Sequence, residues 1–154
     1  MAGRAPLKRE HAEVLARQLG LSVDTACRYM RESCLGLPLN PAVVELVQSQ
    51  RAAGRRTALV TVNIDLFSEV VVPDEHFDEM FDVIVNSAHY GTLDKRNLWP
   101  LAFDALGPGH WYETAWAIDD NRRNVEAFRE LGGHAYHYTG DNALRQWLRD
   151  NPPR

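Results

Sequence analysis

The run Thr57-Ala-Leu-Val-Thr-Val62 decides the fold class of this 154-residue chain. It is short and mostly apolar, which is typical of a strand that is covered on both faces. Similar runs follow at Phe81–Val85, Thr114–Ile118 and His134–Tyr138, and apolar residues recur at helical spacing between them. Strands that alternate with helices form right-handed βαβ units around a parallel sheet. The sequence therefore predicts an α/β protein with a parallel sheet flanked by helices.

Before Thr57, the apolar residues recur at the spacing of a helix rather than of a strand. Ala12, Leu15 and Leu19 recur at helical spacing before a glycine that can end the helix, and Ser22 offers an N-cap for a second helix. A third helix is expected from Asn40-Pro41 to about Gly54, with the Asn40 side chain accepting an amide proton and proline at the first helical position. These residues predict a helical segment over 1–54, followed by an α/β unit over 55–154.

One segment of the α/β unit allows two interpretations. Val70-Val-Val72 favours a strand by its β-branching, whereas Asp65 as a cap and the spacing of the apolar residues from Leu66 favour a helix. We predict a short helix there. We also expect Asp141 to cap a last helix, and the strand-terminal Asp-Asp followed by Asn121 can cap the helix that begins at Arg122. Cys27 and Cys34 share one helical face, and we interpret them as small buried apolar residues rather than as a redox or metal pair.

Composition and charge exclude some classes of function. The formal net charge is −4, so the clustered positive charge that binds a nucleic-acid backbone is missing, and no nucleic-acid partner is expected. No stretch approaches the roughly 20 apolar residues that a membrane span needs, so no membrane partner is expected either. Met1 to Arg9 has no apolar core of a secretory signal, which predicts a cytoplasmic location.

Polar side chains follow three of the predicted strands. Thr61 and Asn63 end the first strand, Lys95 lies in the loop after the second, and Asp119 and Asp120 end the third. Ligands of open parallel sheets bind beyond the carboxyl ends of the strands, so these side chains are expected at one edge. A hydroxyl can hydrogen-bond a phosphoryl oxygen, an ammonium can neutralise charge, and carboxylates suit Mg²⁺. The pattern predicts a phosphate- and metal-binding set without a matching nucleophile.

Three motifs carry a resemblance to a known family. Leu59-Val-Thr-Val-Asn63, Gly91-Thr-Leu-Asp-Lys95 and Ala117-Ile-Asp-Asp-Asn121 resemble the second, third and fourth motifs of the haloacid dehalogenase-like (HAD) superfamily. Its members are hydrolases, mostly phosphatases, with a Rossmann-like core. The helices from about Arg9 to Gln50 resemble the small helical cap of such proteins. The resemblance implies a Rossmann-like parallel sheet flanked by helices over 55–154, with a cap-like segment over 1–54.

The resemblance also implies roles for the site residues. Thr61 would bind phosphoryl oxygens together with Asn63, Lys95 would hold the nucleophile and the phosphate, and Asp119 and Asp120 would anchor Mg²⁺. The substrate would be a small phosphorylated metabolite.

One motif of the family is missing. Its first strand ends in Asp-x-Asp, whose first carboxylate is the nucleophile, and this chain has no Asp-x-Asp. Asn63-Ile-Asp65 comes nearest to this motif. If it were the first motif, too few residues would remain for the other motifs before Lys95. Met1 to Lys8 is too short and polar to supply a buried strand. In the family that strand lies between those ending at Thr61 and Asp119, so its absence implies a rearranged sheet or a gap that needs a partner.

Two hypotheses about function follow from this pattern. In the first, the chain is a HAD-like hydrolase with Mg²⁺, inactive alone because the nucleophilic strand lies outside it, in a longer chain or in a complementing chain. In the second, it is a non-catalytic phosphate- or Mg²⁺-binding module, or a protein-interaction module, derived from such a hydrolase. An unpaired strand flank would also allow a homo-oligomer.

Overall fold

The structure, a computed structural model, describes residues 7–151. Helices and four short strands alternate along the second half of this range. The α-helices are α1 (Leu7–Leu19), α2 (Val23–Glu32), α3 (Pro41–Ala52), α4 (Val72–Asp74), α5 (Phe77–Met80), α6 (Trp99–Leu106), α7 (Arg122–Glu130) and α8 (Asp141–Asp150). The strands are β1 (Ala58–Thr61), β2 (Val83–Asn86), β3 (Trp116–Asp119) and β4 (His134–His137).

The two helices predicted before Asn40 are confirmed. Helices α1 and α2 pack through small residues, with Ala12 and Ala26 fully buried between them. Gly20 ends α1 with a φ of +65°, a conformation that a side chain disfavours. The Ser22 hydroxyl accepts a hydrogen bond from the Thr25 amide at 3.1 Å and caps α2 as expected.

Helix α3 begins at Pro41, as the sequence predicts, but the Asn40 side chain does not cap it. The Asn40 backbone carbonyl instead accepts the amides of Val43 and Val44 at 3.0 and 3.1 Å. A side-chain cap would accept the amide of the second or third helical residue, and here the amide of Val43, the third, is already bound by the Asn40 carbonyl. The cap prediction at Asn40 was therefore wrong, although the boundary was right.

The segment after β1 is helical, which confirms the helix prediction over Leu66 to Val72. A π-helical turn, Phe67–Val71, leads into α4 and buries Val70 and Val71.

The prediction that Asp141 caps the last helix was wrong. Asp141 is the first residue of α8, and its carboxylate accepts a hydrogen bond from the Tyr138 hydroxyl at 2.7 Å instead.

The strands form two separate parallel pairs. β1 pairs with β2 in the register Ala58↔Val83 to Thr61↔Asn86. β3 pairs with β4 in the register that begins at Trp116↔His134. No hydrogen-bonded ladder joins β1 to β3.

The prediction of one Rossmann-like parallel sheet flanked by helices was therefore wrong. Within residues 7–151, the strands make two two-stranded sheets, and most of the remaining ordered structure is helical. The physical reason is the lack of a strand between β1 and β3, because no further described segment has strand conformation.

One aromatic cluster lies under both sheets. Trp99 and Phe103 of α6 pack with Phe128 of α7, and the Trp99 and Phe128 rings meet edge to face at 5.0 Å. Val60 of β1 and Ala117 of β3 both pack against this cluster. The cluster therefore holds the two sheets in one body, although they share no backbone ladder.

Asp82 fixes the backbone at Thr57, just before β1. Its carboxylate accepts a hydrogen bond from the Thr57 amide at 2.7 Å, and Arg51 and Arg56 lie at 3.8 and 3.4 Å from its other oxygen. The hydrogen bond from Thr57, with a smaller contribution from the two arginines, lowers the pKa of Asp82 against the opposing effect of burial. The charged carboxylate thus stabilises the β1–β2 pair.

We expect Asp82→Asn to lower the free energy of unfolding by about 1.5 kcal/mol at neutral pH, since a hydrogen bond to a charged group is lost. The pKa is lower in the folded state, so this stabilisation is present above the unfolded value near 3.8 and is lost as the pH falls through the folded value. Urea unfolding at neutral pH and at about pH 3 measures the difference, with the exposed Asp78→Asn as control. Equal stability of both variants at neutral pH would contradict this role.

Candidate functional site

The central contact of the predicted site joins Lys95 to Asp119. The Lys95 Nζ donates a hydrogen bond to Asp119 Oδ2 at 2.6 Å, and the side chains are only 16% and 9% exposed. Asp119 ends β3, and Lys95 opens a 3₁₀ turn just before α6. Asp94 fixes this turn by accepting the Arg96 amide at 2.9 Å. The structure thus brings together two of the residues that the sequence pattern placed at one edge.

Amide groups complete the surroundings of Asp119. Its Oδ1 accepts the Asn121 backbone amide at 2.8 Å, and the Asn124 side chain donates to both carboxylate oxygens at 3.1 and 3.2 Å. The Asn121 side chain caps α7 by accepting the Arg123 amide at 3.0 Å. Sequence reasoning identified Asn121 as a possible cap but missed Asn124, whose signal was an amide side chain in the first turn after the acidic pair.

Thr61 and Asn63 lie at the end of the first sheet. Thr61 is half-buried, and its hydroxyl makes no hydrogen bond to another described residue. The backbone of Asn63 exchanges two hydrogen bonds with the Ser87 hydroxyl, at 3.0 and 3.1 Å, and its side-chain oxygen accepts the Ile64 amide at 2.9 Å. Among the described residues, neither Thr61 nor Asn63 is hydrogen-bonded to Lys95.

A polar network that the sequence did not reveal supports this side of the site. Asn86, almost fully buried, donates to the Ile64 carbonyl at 2.9 Å and to the Ser68 hydroxyl at 3.0 Å. The His89 Nε2 lies 2.9 Å from the same hydroxyl. These contacts tie the loop after β1 to the end of β2 and thereby fix the position of Asn63.

Asp120 differs from its neighbour because it is exposed. Its backbone carbonyl accepts a hydrogen bond from the His137 Nε2 at 3.0 Å, whereas its carboxylate makes none with the described residues. No group of three His, Cys, Asp or Glu side chains in the described part of the chain is arranged to hold a metal ion. Mg²⁺ often takes one or two carboxylates with water and phosphate oxygens. Asp119 and Asp120 fit this pattern only in part, because one Asp119 oxygen is already bound to Lys95.

Two concave spaces of the described residues lie elsewhere. One of about 480 Å³ opens beside α2 and Val70, the other of about 560 Å³ lies against α1 and the start of α2, and none of the predicted site residues lines either. None of the helices within residues 7–151 combines the length and apolar character that crossing a bilayer requires.

Comparisons with known proteins identify no relative: no protein-family model matches the chain, and no curated protein matches it. The three motifs and the geometry at the strand ends are therefore the basis for any functional proposal.

We expect Lys95→Met and Asp119→Asn each to lower the free energy of unfolding by about 2–3 kcal/mol, because each removes one partner of a pair that is shielded from water. The double variant should lose less than the sum of the two, since no isolated charge then remains. Denaturant unfolding of the four proteins measures this coupling.

The exposed pair Arg122–Glu126, at 2.8 Å, provides the control. Glu126→Gln should change the free energy of unfolding by less than about 0.5 kcal/mol. Additive losses at Lys95 and Asp119 would show that the two side chains are not coupled.

Proposed function

We propose that this chain is a HAD-like module that binds the phosphate group of a small phosphorylated metabolite and does not hydrolyse it alone. The observation that carries the proposal is the Lys95 ammonium, which Asp119 holds beyond the carboxyl end of β3. This is the region where parallel strands present ligand-binding groups.

Lys95 supplies the positive charge in this proposal. An ammonium has three protons, and the one donated to Asp119 orients the group while the others remain for a ligand. Hydrogen bonds from an ammonium to phosphoryl oxygens are among the stronger ones in proteins. Asp119 therefore acts as a positioning residue for Lys95.

Thr61 and Asn63 supply neutral donors. The Thr61 hydroxyl is available, and the Asn63 side chain uses its oxygen on the Ile64 amide, so its NH₂ group can point to a ligand. Mg²⁺ would be held by Asp119 and Asp120 together with water and phosphate oxygens. Its binding requires Lys95 to move from the Asp119 carboxylate to the phosphate.

Hydrolysis is the second candidate function, and the motif order favours it. It needs a nucleophilic carboxylate from another segment, either of a complementing chain or of another copy in a homo-oligomer. Asp119 is a poor nucleophile because Lys95 and two amide donors already engage its oxygens. The net charge of −4 makes small phosphorylated compounds better candidates than nucleic acids.

Titration of the purified chain with inorganic phosphate, with and without Mg²⁺, tests binding, and phosphate release from an aryl phosphate tests turnover. We expect saturable binding without turnover. Lys95→Met should weaken phosphate binding about tenfold or more, as expected for the loss of one charged hydrogen bond. Arg122→Ala, which removes an exposed charge from the same region, should leave binding within about twofold.

Circular dichroism of each variant establishes that it is folded. Absence of saturable phosphate binding by the folded wild-type chain would refute the proposal. Turnover that disappears in both Asp119→Asn and Lys95→Met would show that a carboxylate of this chain serves as nucleophile.

A further inference from the structure

Ser68 differs from two other serines in or next to helices by the partner of its hydroxyl. The hydroxyls of Ser33 and Ser49 each donate to a backbone carbonyl three residues earlier, at 2.8 Å in both cases. Helical serines commonly bond to the preceding turn in this way, which engages the hydroxyl proton. Among the described residues, no backbone carbonyl accepts the Ser68 hydroxyl. The Ser68 proton is therefore available to a side chain.

The Asn86 side chain determines where this proton can go. Its Nδ2 lies 2.9 Å from the Ile64 carbonyl oxygen and 3.0 Å from the Ser68 oxygen. A carbonyl can only accept a hydrogen bond, so the group that faces it is the amide NH₂, and the same group donates to Ser68. Asn86 is only 1% exposed, so water does not compete for these contacts. One lone pair of the Ser68 oxygen is thereby occupied, and its own proton points to another partner.

The His89 imidazole is that partner. Its Nε2 lies 2.9 Å from the Ser68 oxygen, which is the separation expected between a nucleophile and its general base. With the ring proton on Nδ1, the Nε2 atom carries a free lone pair and accepts the Ser68 hydroxyl. Ser68 is half-buried and His89 is exposed, so a small molecule can reach both side chains.

Two turns at the carboxyl ends of strands carry this pair. Ser68 lies in the π-helical turn after β1, and His89 ends a 3₁₀ turn that follows β2. The Asn86 side-chain oxygen accepts the Ala88 amide at 3.3 Å, so the residue that orients Ser68 also caps the turn of His89. π-helical turns often occur at functional sites. The hydroxyl and the imidazole are therefore held together by one buried amide.

We propose that Ser68 is a nucleophile activated by His89, and that it takes the acyl group of small carboxylic esters. The Ser68 oxygen attacks the carbonyl carbon while the His89 Nε2 removes the hydroxyl proton. The bond from the carbonyl carbon to the alcohol oxygen breaks, and His89 gives the proton to the leaving alcohol. Water then attacks the acyl group with His89 as base, which releases a carboxylic acid and restores the Ser68 hydroxyl.

The surroundings of the pair define the class of ester. Neither of the two concave spaces described above is lined by Ser68 or His89, so the pair faces open surface. This arrangement favours a small acyl group with a good leaving group over a long acyl chain. The gain in rate is that of a general base, about 10²–10⁴-fold. The reaction uses neither Lys95 nor Asp119, so the inference does not rest on phosphate binding.

Release of p-nitrophenolate from p-nitrophenyl acetate by the full chain, without phosphate or Mg²⁺, tests the activity. We expect the rate to fall about 100-fold or more in both Ser68→Ala and His89→Gln. Glutamine can still form a hydrogen bond with Ser68 but is not a base, so a structural role of His89 alone would not produce this loss. Ser49→Ala, which removes a hydroxyl bound to a carbonyl, should leave the rate unchanged.

An alkyl fluorophosphonate identifies the nucleophile, because it leaves a stable phosphonyl group on an activated serine. The Ser68 oxygen displaces fluoride from phosphorus, and His89 takes the hydroxyl proton. Peptide mapping by mass spectrometry should locate the phosphonyl group on Ser68 and detect none on Ser33 or Ser49. His89→Gln should slow the labelling of Ser68 about 100-fold or more.

Three results would overturn the proposal. The first is an absence of the phosphonyl group from Ser68 in the folded wild-type chain, which needs no variant to fold. The second is labelling of another residue in place of Ser68. The third is an equal rate of labelling in wild type and in His89→Gln that is folded by circular dichroism. Failure of phosphate binding affects none of these readouts, so the two proposals are separable.

Discussion

The packing of aromatic rings between α6 and α7 is the constraint on which the rest of this structure depends. Two-stranded parallel sheets have little stability of their own, because each offers few backbone hydrogen bonds and a small apolar face. Edge-to-face contacts between Trp99 and Phe128 and between Phe103 and Tyr112, both at 5.0 Å, form one core beneath both sheets. This core substitutes for the missing ladder between β1 and β3.

The polar site is a consequence of that core. Leu98, fully buried next to Trp99, anchors the start of α6, and the preceding turn carries Lys95 to the end of β3. Burying an ion pair is favourable only where further hydrogen bonds satisfy its atoms. Asn124 and the Asn121 amide do this for Asp119, so the lysine that Asp119 contacts is oriented at the strand ends.

Local features could be read from the sequence, because they depend on neighbouring residues. Ser22 and Asn121 cap their helices as their position predicts, and the apolar run from Thr57 contains β1. The failure at Asn40 is also local, because the Asn40 carbonyl accepts the Val43 amide that a side-chain cap would have bound. Site residues at strand ends were found because a strand end is itself a local feature.

The pairing of the strands was not predictable in the same way. A short apolar run such as Thr57–Val62 indicates a strand, but the identity of its neighbours depends on residues far away in the sequence. The expectation of one sheet assumed that β1 and β3 belong to a continuous ladder, and the structure separates them. The contact between Asn124 and Asp119 was not predicted for a similar reason, because it requires the turn from β3 into α7.

The most direct test of this arrangement is NMR measurement of scalar couplings across backbone hydrogen bonds in the isolated chain. We expect couplings between β1 and β2 and between β3 and β4, with none between β1 and β3. Couplings from β1 to β3 would show one continuous sheet, and they would contradict the separation of the two sheets.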